Sequence, residues 1–182
     1  CFFSCCLCHI SKIILINYHS SFSLPSLIGQ LAVILRPENV LSNQIQSMSL
    51  ITVGTMAFDA IETPFGKTDK IVGGSATYVA YAASNFVKPV QQVSIVGYDF
   101  PTEEMDELKR RGVQLDGVEI VPDKKSFFWS GRYHEDMNSR DTLVTDLNVL
   151  ADFNPKIPDS YQGSEFLMLG NLHPSTQLSV IQ

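Results

Sequence analysis

Three polar residues in this 182-residue sequence each follow a short apolar run that ends in glycine. They are Asp59, Asp99 and Asn171, which follow Gly54, Gly97 and Gly170. Open α/β sheets place ligand contacts just beyond the carboxyl ends of their strands. An ionised carboxylate only accepts hydrogen bonds, so Asp59 could grip two hydroxyl groups of a sugar or nucleoside. From the local sequence alone, a loop aspartate that caps a turn explains Asp59 equally well.

The pair Gly73 and Gly74 lies between a β-like approach and a helix-forming run of small residues. Glycine tolerates positive φ and lets a ligand come close to bare peptide groups. The first N–H groups of the following helix have no partner inside it, so this terminus could donate to a hydroxyl-rich or anionic ligand. The alternative is a plain strand-to-helix turn with Ser75 as the N-cap.

Apolar, β-branched runs alternate with helix-forming segments, which predicts an α/β fold with a doubly wound, mostly parallel sheet. Strands are expected over residues 50–54, 93–97, 115–121, 125–134, 142–149 and 166–170. Helices are expected after Gly74, over 101–112 with a Thr102 cap, and from Ser175. Residues 62–72 are rich in turn formers, which favours two edge strands and a hairpin outside the main sheet.

The first 47 residues differ from the rest, because they contain all four cysteines and precede the first methionine, Met48. Cys5 and Cys8 form a Cys-x-x-Cys pair without a second ligand pair at zinc spacing, so no metal site is expected. The apolar runs 10–16 and 27–35 are too short to span a bilayer. We expect residues 1–47 to be a non-native or disordered extension from upstream translation, and the domain to begin at Met48.

The chain is acidic, with 19 Asp and Glu against 13 Lys and Arg and a formal net charge of −6. This balance argues against a nucleic-acid surface, because few cations are available to neutralise phosphates. The absence of cysteine after Cys8 fits a cytoplasmic protein. His134 and His173 show no spacing typical of a metal site, so no metal ligand is predicted from them.

Taken together, the motifs resemble the N-terminal half of the PfkB, or ribokinase-like, family of carbohydrate and nucleoside kinases. The matching motifs are Gly54 with Asp59, then Gly73-Gly74-Ser75-Ala76, then Gly97-Tyr98-Asp99, within residues 48–182. The resemblance implies that Asp59 binds substrate hydroxyls and that Gly73 and Gly74 line the sugar site. It also implies that Asn171 lies near the substrate or the phosphate region.

The same resemblance implies a small β-lid, built from about 62–72 and 126–134, that closes over the sugar and can mediate a homodimer. Closure would exclude water, so that the phosphoryl group passes to the substrate hydroxyl. Arg132 is a candidate contact to an anionic ligand group, or else an exposed lid residue. Tyr78 stands where the family usually has asparagine, so it is a candidate substrate contact that bears on the identity of the sugar.

The family's catalytic base is the aspartate of a C-terminal Gly-Ala-Gly-Asp motif, and the same half binds the nucleotide. That motif does not occur in these residues. The resemblance thus implies the substrate-binding half of an enzyme, truncated before the C-terminal half. ATP and Mg²⁺ would serve the full-length parent, and this half alone would bind neither and be inactive. The alternative is a non-catalytic sugar- or nucleoside-binding module. A Rossmann-type domain is disfavoured, because residues 54–58 offer one glycine only.

Overall fold

The computed structural model describes residues 14–17 and 48–182. The strands are β1 (Ile14–Asn17), β2 (Leu50–Val53), β3 (Ala57–Thr63), β4 (Gly66–Lys67), β5 (Ile71–Gly73), β6 (Val90–Gly97), β7 (Val113–Val121), β8 (Phe127–Tyr133), β9 (Arg140–Asp146) and β10 (Phe166–Leu169). The helices are α1 (Ser75–Ala83), α2 (Thr102–Arg110) and α3 (Pro174–Ile181), with 3₁₀ helices at Asn148–Asp152 and Asp159–Tyr161.

The main sheet has five strands in the order β1-β10-β2-β6-β7. Strands β10, β2, β6 and β7 are parallel, whereas β1 pairs antiparallel with β10. Every residue of β2 and of β6 is buried. Strands that are buried at every residue are typical of parallel sheets that are covered on both faces. The mostly parallel α/β sheet predicted from the sequence is therefore confirmed.

Two apolar clusters cover the two faces of this sheet. The first cluster includes Ala76 and Ala80 of α1 and Leu108 of α2, packed on Val90 and Val96 of β6. The second cluster contains Ile51, Val53, Val93, Tyr161, Leu167, Leu169, Leu172 and Val180. Helices α1 and α2 therefore lie on one face of the sheet, and α3 lies on the other.

A second sheet, which we call the lid sheet, consists of β4, β3, β8 and β9 in that order, with β5 also paired to β3. Strands β3 and β8 are parallel, and the other pairs are antiparallel. This sheet extends beyond the predicted segments 62–72 and 126–134, because β3 already begins at Ala57 and β9 forms one edge. The sequence predicted a strand near β9 without assigning it to the lid.

Both predicted helix caps were wrong. Thr102 is already inside α2, and Pro101 is its N-cap. Ser75 is likewise the first residue of α1, and the N-cap is Gly74, with φ of 94°. Positive φ at this position explains why a glycine precedes the helix.

Strand β1 falls inside the range 1–47 that the sequence analysis set apart from the fold. Its register joins Ile14 to Leu169 and Asn17 to Phe166. The rest of that range, including Cys5 and Cys8, lies outside the described residues. Among the residues that the structure describes, no helix is long and apolar enough to cross a membrane.

Candidate functional site

Asp59 lies in the middle of β3, beside the β5 strand that leads into Gly73 and Gly74. A Cβ atom added to Gly73 would lie 2.0 Å from Oδ2 of Asp59, so the carboxylate rests directly on the backbone of Gly73. The N–H group of Gly74 donates a hydrogen bond to the same carboxylate. Any side chain at Gly73 would displace the acid, which explains why glycine is needed there.

Burial raises the pKa of Asp59 to about 6, although the hydrogen bond from Gly74 works in the opposite direction. The carboxylate is therefore mostly ionised at neutral pH but poorly solvated. An ionised carboxylate offers about four acceptor positions, so the bond from Gly74 leaves capacity for hydroxyl groups of a ligand. Hydroxyl groups of a polyol could donate hydrogen bonds to the Asp59 carboxylate in place of the water that burial removes.

The turn into α1 is fixed to the end of β2. A Cβ at Gly74 would lie 2.3 Å from the carbonyl oxygen of Thr55, so this position also requires glycine. The backbone N–H of Ser75 donates to Oγ1 of Thr55 over 3.1 Å. In return, the N–H of Thr55 donates to Oγ of Ser75 over 3.3 Å. This pair of bonds holds the N-terminus of α1 at the carboxyl end of β2.

Asn171 joins the same cluster from the neighbouring strand. Oγ1 of Thr55 donates to Oδ1 of Asn171 over 3.2 Å. A Cβ at Gly170 would lie 2.2 Å from Oγ of Ser75, and one at Gly54 would lie 2.6 Å from it. The Ser75 side chain thus fits between the glycines that end β2 and β10. Direct contacts therefore link Asp59, Gly73 and Gly74 to Asn171 through this turn.

Tyr78 and Arg132 lie outside that chain of contacts. Tyr78, on α1, donates its hydroxyl to the carbonyl of Val72 over 3.4 Å, beside the site. Arg132 forms an ion pair with Glu62, with Nε 2.8 Å from the carboxylate. Side chains alternate along strands, so register places Glu62 and Arg132 on the opposite face of the lid sheet from Asp59. The structure therefore does not bring Arg132 to Asp59.

Asp99 holds the lid sheet to the main sheet. Its carboxylate accepts a bond from Nζ of Lys70 over 2.8 Å and one from the N–H of Ser126 over 2.7 Å. Burial alone would raise the pKa of Asp99, but the hydrogen bonds from Lys70 and Ser126 together hold it below its usual value. These partners lie just before β5 and β8. Asp99 therefore fixes the segments that lead into β5 and β8. It does not act as the ligand contact that is typical of a residue at a strand end.

Trp129 was not predicted as a site residue, yet it pairs in register with Asp59 across β3 and β8. Register partners share a face of the sheet, so the indole and the carboxylate lie on the same side. A Cβ at Gly131 would lie 2.2 Å from Cη2 of Trp129, which shows that the ring lies close over Gly131. The sequence pattern of β8 could not reveal this, because the register with β3 decides the face.

In the part of the chain that the structure describes, no group of three or more His, Cys, Asp or Glu residues could hold a metal ion. No protein-family profile matches the sequence. A curated relative, the cytidine kinase of Thermococcus kodakarensis, is 28% identical over 135 residues. The match covers 74% of this chain and 47% of the relative, so the chain spans about half the length of that kinase.

Solved structures give the fold. A nucleoside kinase of Methanocaldococcus jannaschii, described as an archaeal member of the ribokinase family, matches with a TM-score of 0.54 and 18% identity, over 74% of this chain and 48% of that chain. A ribokinase of Cryptococcus neoformans, solved with ADP, matches with a TM-score of 0.52 and 20% identity, over 72% and 43%. The chain therefore has a ribokinase-like fold, as its motifs predicted, and its relatives are kinases.

Proposed function

We propose that this chain is the substrate-binding half of an ATP-dependent kinase that phosphorylates a hydroxyl group of a sugar or nucleoside. The observation that carries the proposal is the half-buried Asp59 carboxylate, held on the bare backbone of Gly73 and Gly74. The similarity to a cytidine kinase and to a nucleoside kinase supports this class of substrate.

Each part of the site has a distinct role in this proposal. Asp59 accepts hydrogen bonds from ligand hydroxyls, and Gly73 and Gly74 let the ligand approach the backbone. The bonds among Thr55, Ser75 and Asn171 fix the turn that carries the glycines. The lid sheet covers the ligand, so that water is excluded when the phosphoryl group is transferred.

ATP with Mg²⁺ would be bound by a second half that these residues do not include. This chain spans 43% of the ribokinase solved with ADP, and its sequence has no Gly-Ala-Gly-Asp segment. Phosphoryl transfer depends on charge stabilisation around the γ-phosphate, and Asp59 can only hold the acceptor. We therefore propose that the chain alone binds substrate without phosphorylating it.

Calorimetric titration of the chain with nucleosides and pentoses tests the proposal. We expect binding to at least one of these ligands, and at least a tenfold weaker affinity in Asp59→Asn. Asp69→Asn is the matched control, because Asp69 is an exposed residue in the loop between β4 and β5. Equal affinities in the chain and in Asp59→Asn would overturn the assignment of Asp59.

The alternative function is a non-catalytic sugar- or nucleoside-binding module. Tyr78 favours it, because a phenol stands where the ribokinase-like family usually has an amide. Sequencing the transcript beyond Gln182 separates the two. A continuing frame with a Gly-Ala-Gly-Asp segment supports the kinase, whereas a stop codon there supports the module.

A further inference from the structure

The face of the lid sheet that carries Asp59 is apolar around this acid. Side chains alternate along a strand, so the residues two positions before and after Asp59 on β3, and two positions before and after its register partner on β8, share this face. They are Ala57, Ile61, Phe127 and Gly131. None of them has a charged or hydrogen-bonding side chain. The surface therefore suits a ligand with hydroxyl groups on one part and an apolar ring on another.

The carboxylate of Asp59 and the indole of Trp129 extend in opposite directions from their register pair. The carboxylate rests on Gly73 of β5, on one side of β3. The indole lies over Gly131, and its Nε1 donates to Oγ1 of Thr142 on β9 over 3.4 Å. Strands β5 and β8 lie on opposite sides of β3, about 10 Å apart at the usual strand spacing. A ligand that contacts both side chains must span this part of the face.

Three contacts fix the position of the Trp129 ring. A Cβ added to Gly131 would lie 2.4 Å from Cζ2 of the indole, so the ring occupies the space that a side chain would fill there. The guanidinium of Arg140 lies 5.9 Å from the ring centroid, within the range of a cation–π contact. The hydrogen bond to Thr142 is the third contact. The ring is still partly exposed, so a flat group can pack on it with little loss of conformational entropy.

We propose that Trp129 is the base-stacking residue of the Asp59 site, and that the ligand is a nucleoside rather than a free sugar. The inference rests on the proposed function, in which Asp59 binds ligand hydroxyls. A free pentose offers hydroxyl groups but no flat ring for the indole. A nucleoside offers both, because its ribose carries a planar base, and every base has a π-face that stacks on aromatic side chains. Trp129 thus determines specificity.

Fluorescence gives a direct test, because Trp129 is the only tryptophan in the sequence. We expect cytidine to quench its emission saturably when the indole is excited at the red edge of its absorption band. Methyl β-D-ribofuranoside keeps the ribose ring and replaces the base by a methoxy group, so it should bind without quenching. Calorimetry on the same samples measures both affinities, and we expect cytidine to bind at least tenfold more tightly. Binding of cytidine without quenching would overturn the proposal.

Variants of Trp129 separate stacking from a structural role. In Trp129→Ala the tenfold advantage of cytidine over the riboside should disappear, whereas Trp129→Phe should retain most of it, because a ring is still present. Phe86→Ala is the control, since Phe86 is an exposed aromatic residue in the turn after α1, and it should leave both affinities unchanged.

The outcomes distinguish this proposal from the proposed function. If Trp129→Ala weakens cytidine and the riboside equally, or if the chain binds both ligands equally well, the stacking role is wrong while the Asp59 site stands. If the chain binds neither ligand, or if Asp59→Asn binds both as tightly as the original chain does, the proposed function fails and the stacking role fails with it.

Discussion

Asp59 is held in an environment that favours its protonated form in the folded chain. Its pKa is about 6 in the fold against 3.8 in an unfolded chain, so the folded chain binds more protons between these two values. The stability contributed by this group is therefore greatest below about pH 4 and falls as the pH rises through 6. The loss amounts to about 3 kcal/mol above pH 7.

Replacing this acid should separate stability from ligand binding. Asp59→Asn should raise the free energy of unfolding at pH 7.5 by about 1–3 kcal/mol, because the amide carries no buried charge. At pH 4 the variant and the original chain should be nearly equal. Urea unfolding followed by the fluorescence of Trp129, the only tryptophan, measures both values. A variant destabilised to the same extent at both pH values would contradict this account of Asp59.

Gly73→Ala tests the close approach between the backbone and the acid. The new methyl group would meet Oδ2 of Asp59 at 2.0 Å, so the carboxylate must move. We expect ligand affinity to fall at least tenfold and stability to fall by about 1–3 kcal/mol. Gly163→Ala is the control, because its Cβ would meet no atom of the described residues within 4 Å. Unchanged affinity in Gly73→Ala would show that the ligand does not use this carboxylate.

At the scale of elements, the contacts of Asp99 join the segments that lead into β5 and β8 of the lid sheet. Asp99→Ala removes the acceptor for Lys70 and for the N–H of Ser126. We expect a loss of about 2 kcal/mol and faster amide exchange in β5 and β8 than in β2. Hydrogen exchange measured by mass spectrometry gives both rates. The control is Asp123→Ala, an exposed residue in the turn before β8. Equal acceleration of exchange in both sheets would show that Asp99 does not stabilise the lid sheet locally.

The buried parallel strands could be predicted from the sequence, whereas the assignment of strands to sheets could not. Strand β2 is buried at every residue, and β10 is apolar throughout, with every residue at least partly buried, as is typical of strands inside a parallel sheet. Strand β9 is exposed along its whole length, so no pattern links it to the lid. Only its long-range pairing with β8 does so.

In the candidate site too, local sequence predicts some residues, whereas long-range strand pairing decides the others. Asp59 and the two glycines were predicted because strand ends and helix starts have recognisable local signals. The sequence left Arg132 open as a ligand contact or an exposed lid residue. Its ion pair with Glu62 depends on the register of β3 and β8, which local sequence does not specify. Trp129 was missed for the same reason. Cross-strand geometry, rather than composition, decides which lid residues face Asp59.

At the scale of the whole molecule, the lid sheet exposes apolar side chains along one edge strand. Leu143 and Val144 are 45% and 40% exposed on β9, the edge strand of the lid sheet. Val144 pairs in register with Ser130, which lies on the face away from Asp59. An exposed apolar edge of this kind invites pairing with a second copy. We propose that the chain forms a homodimer through this surface, leaving the Asp59 face free for ligand.

A charge on β9 should dissociate that dimer without affecting the ligand site. We expect light scattering to give a dimer mass for the chain and a monomer mass for Val144→Lys, because burying an unpaired ammonium group is costly. Ligand affinity should not change, since Val144 and Asp59 lie on opposite faces. Leu178→Lys places the same charge on an exposed residue of α3 and should leave the dimer intact. A dimer that survives Val144→Lys but dissociates in Leu178→Lys would place the interface at α3 instead.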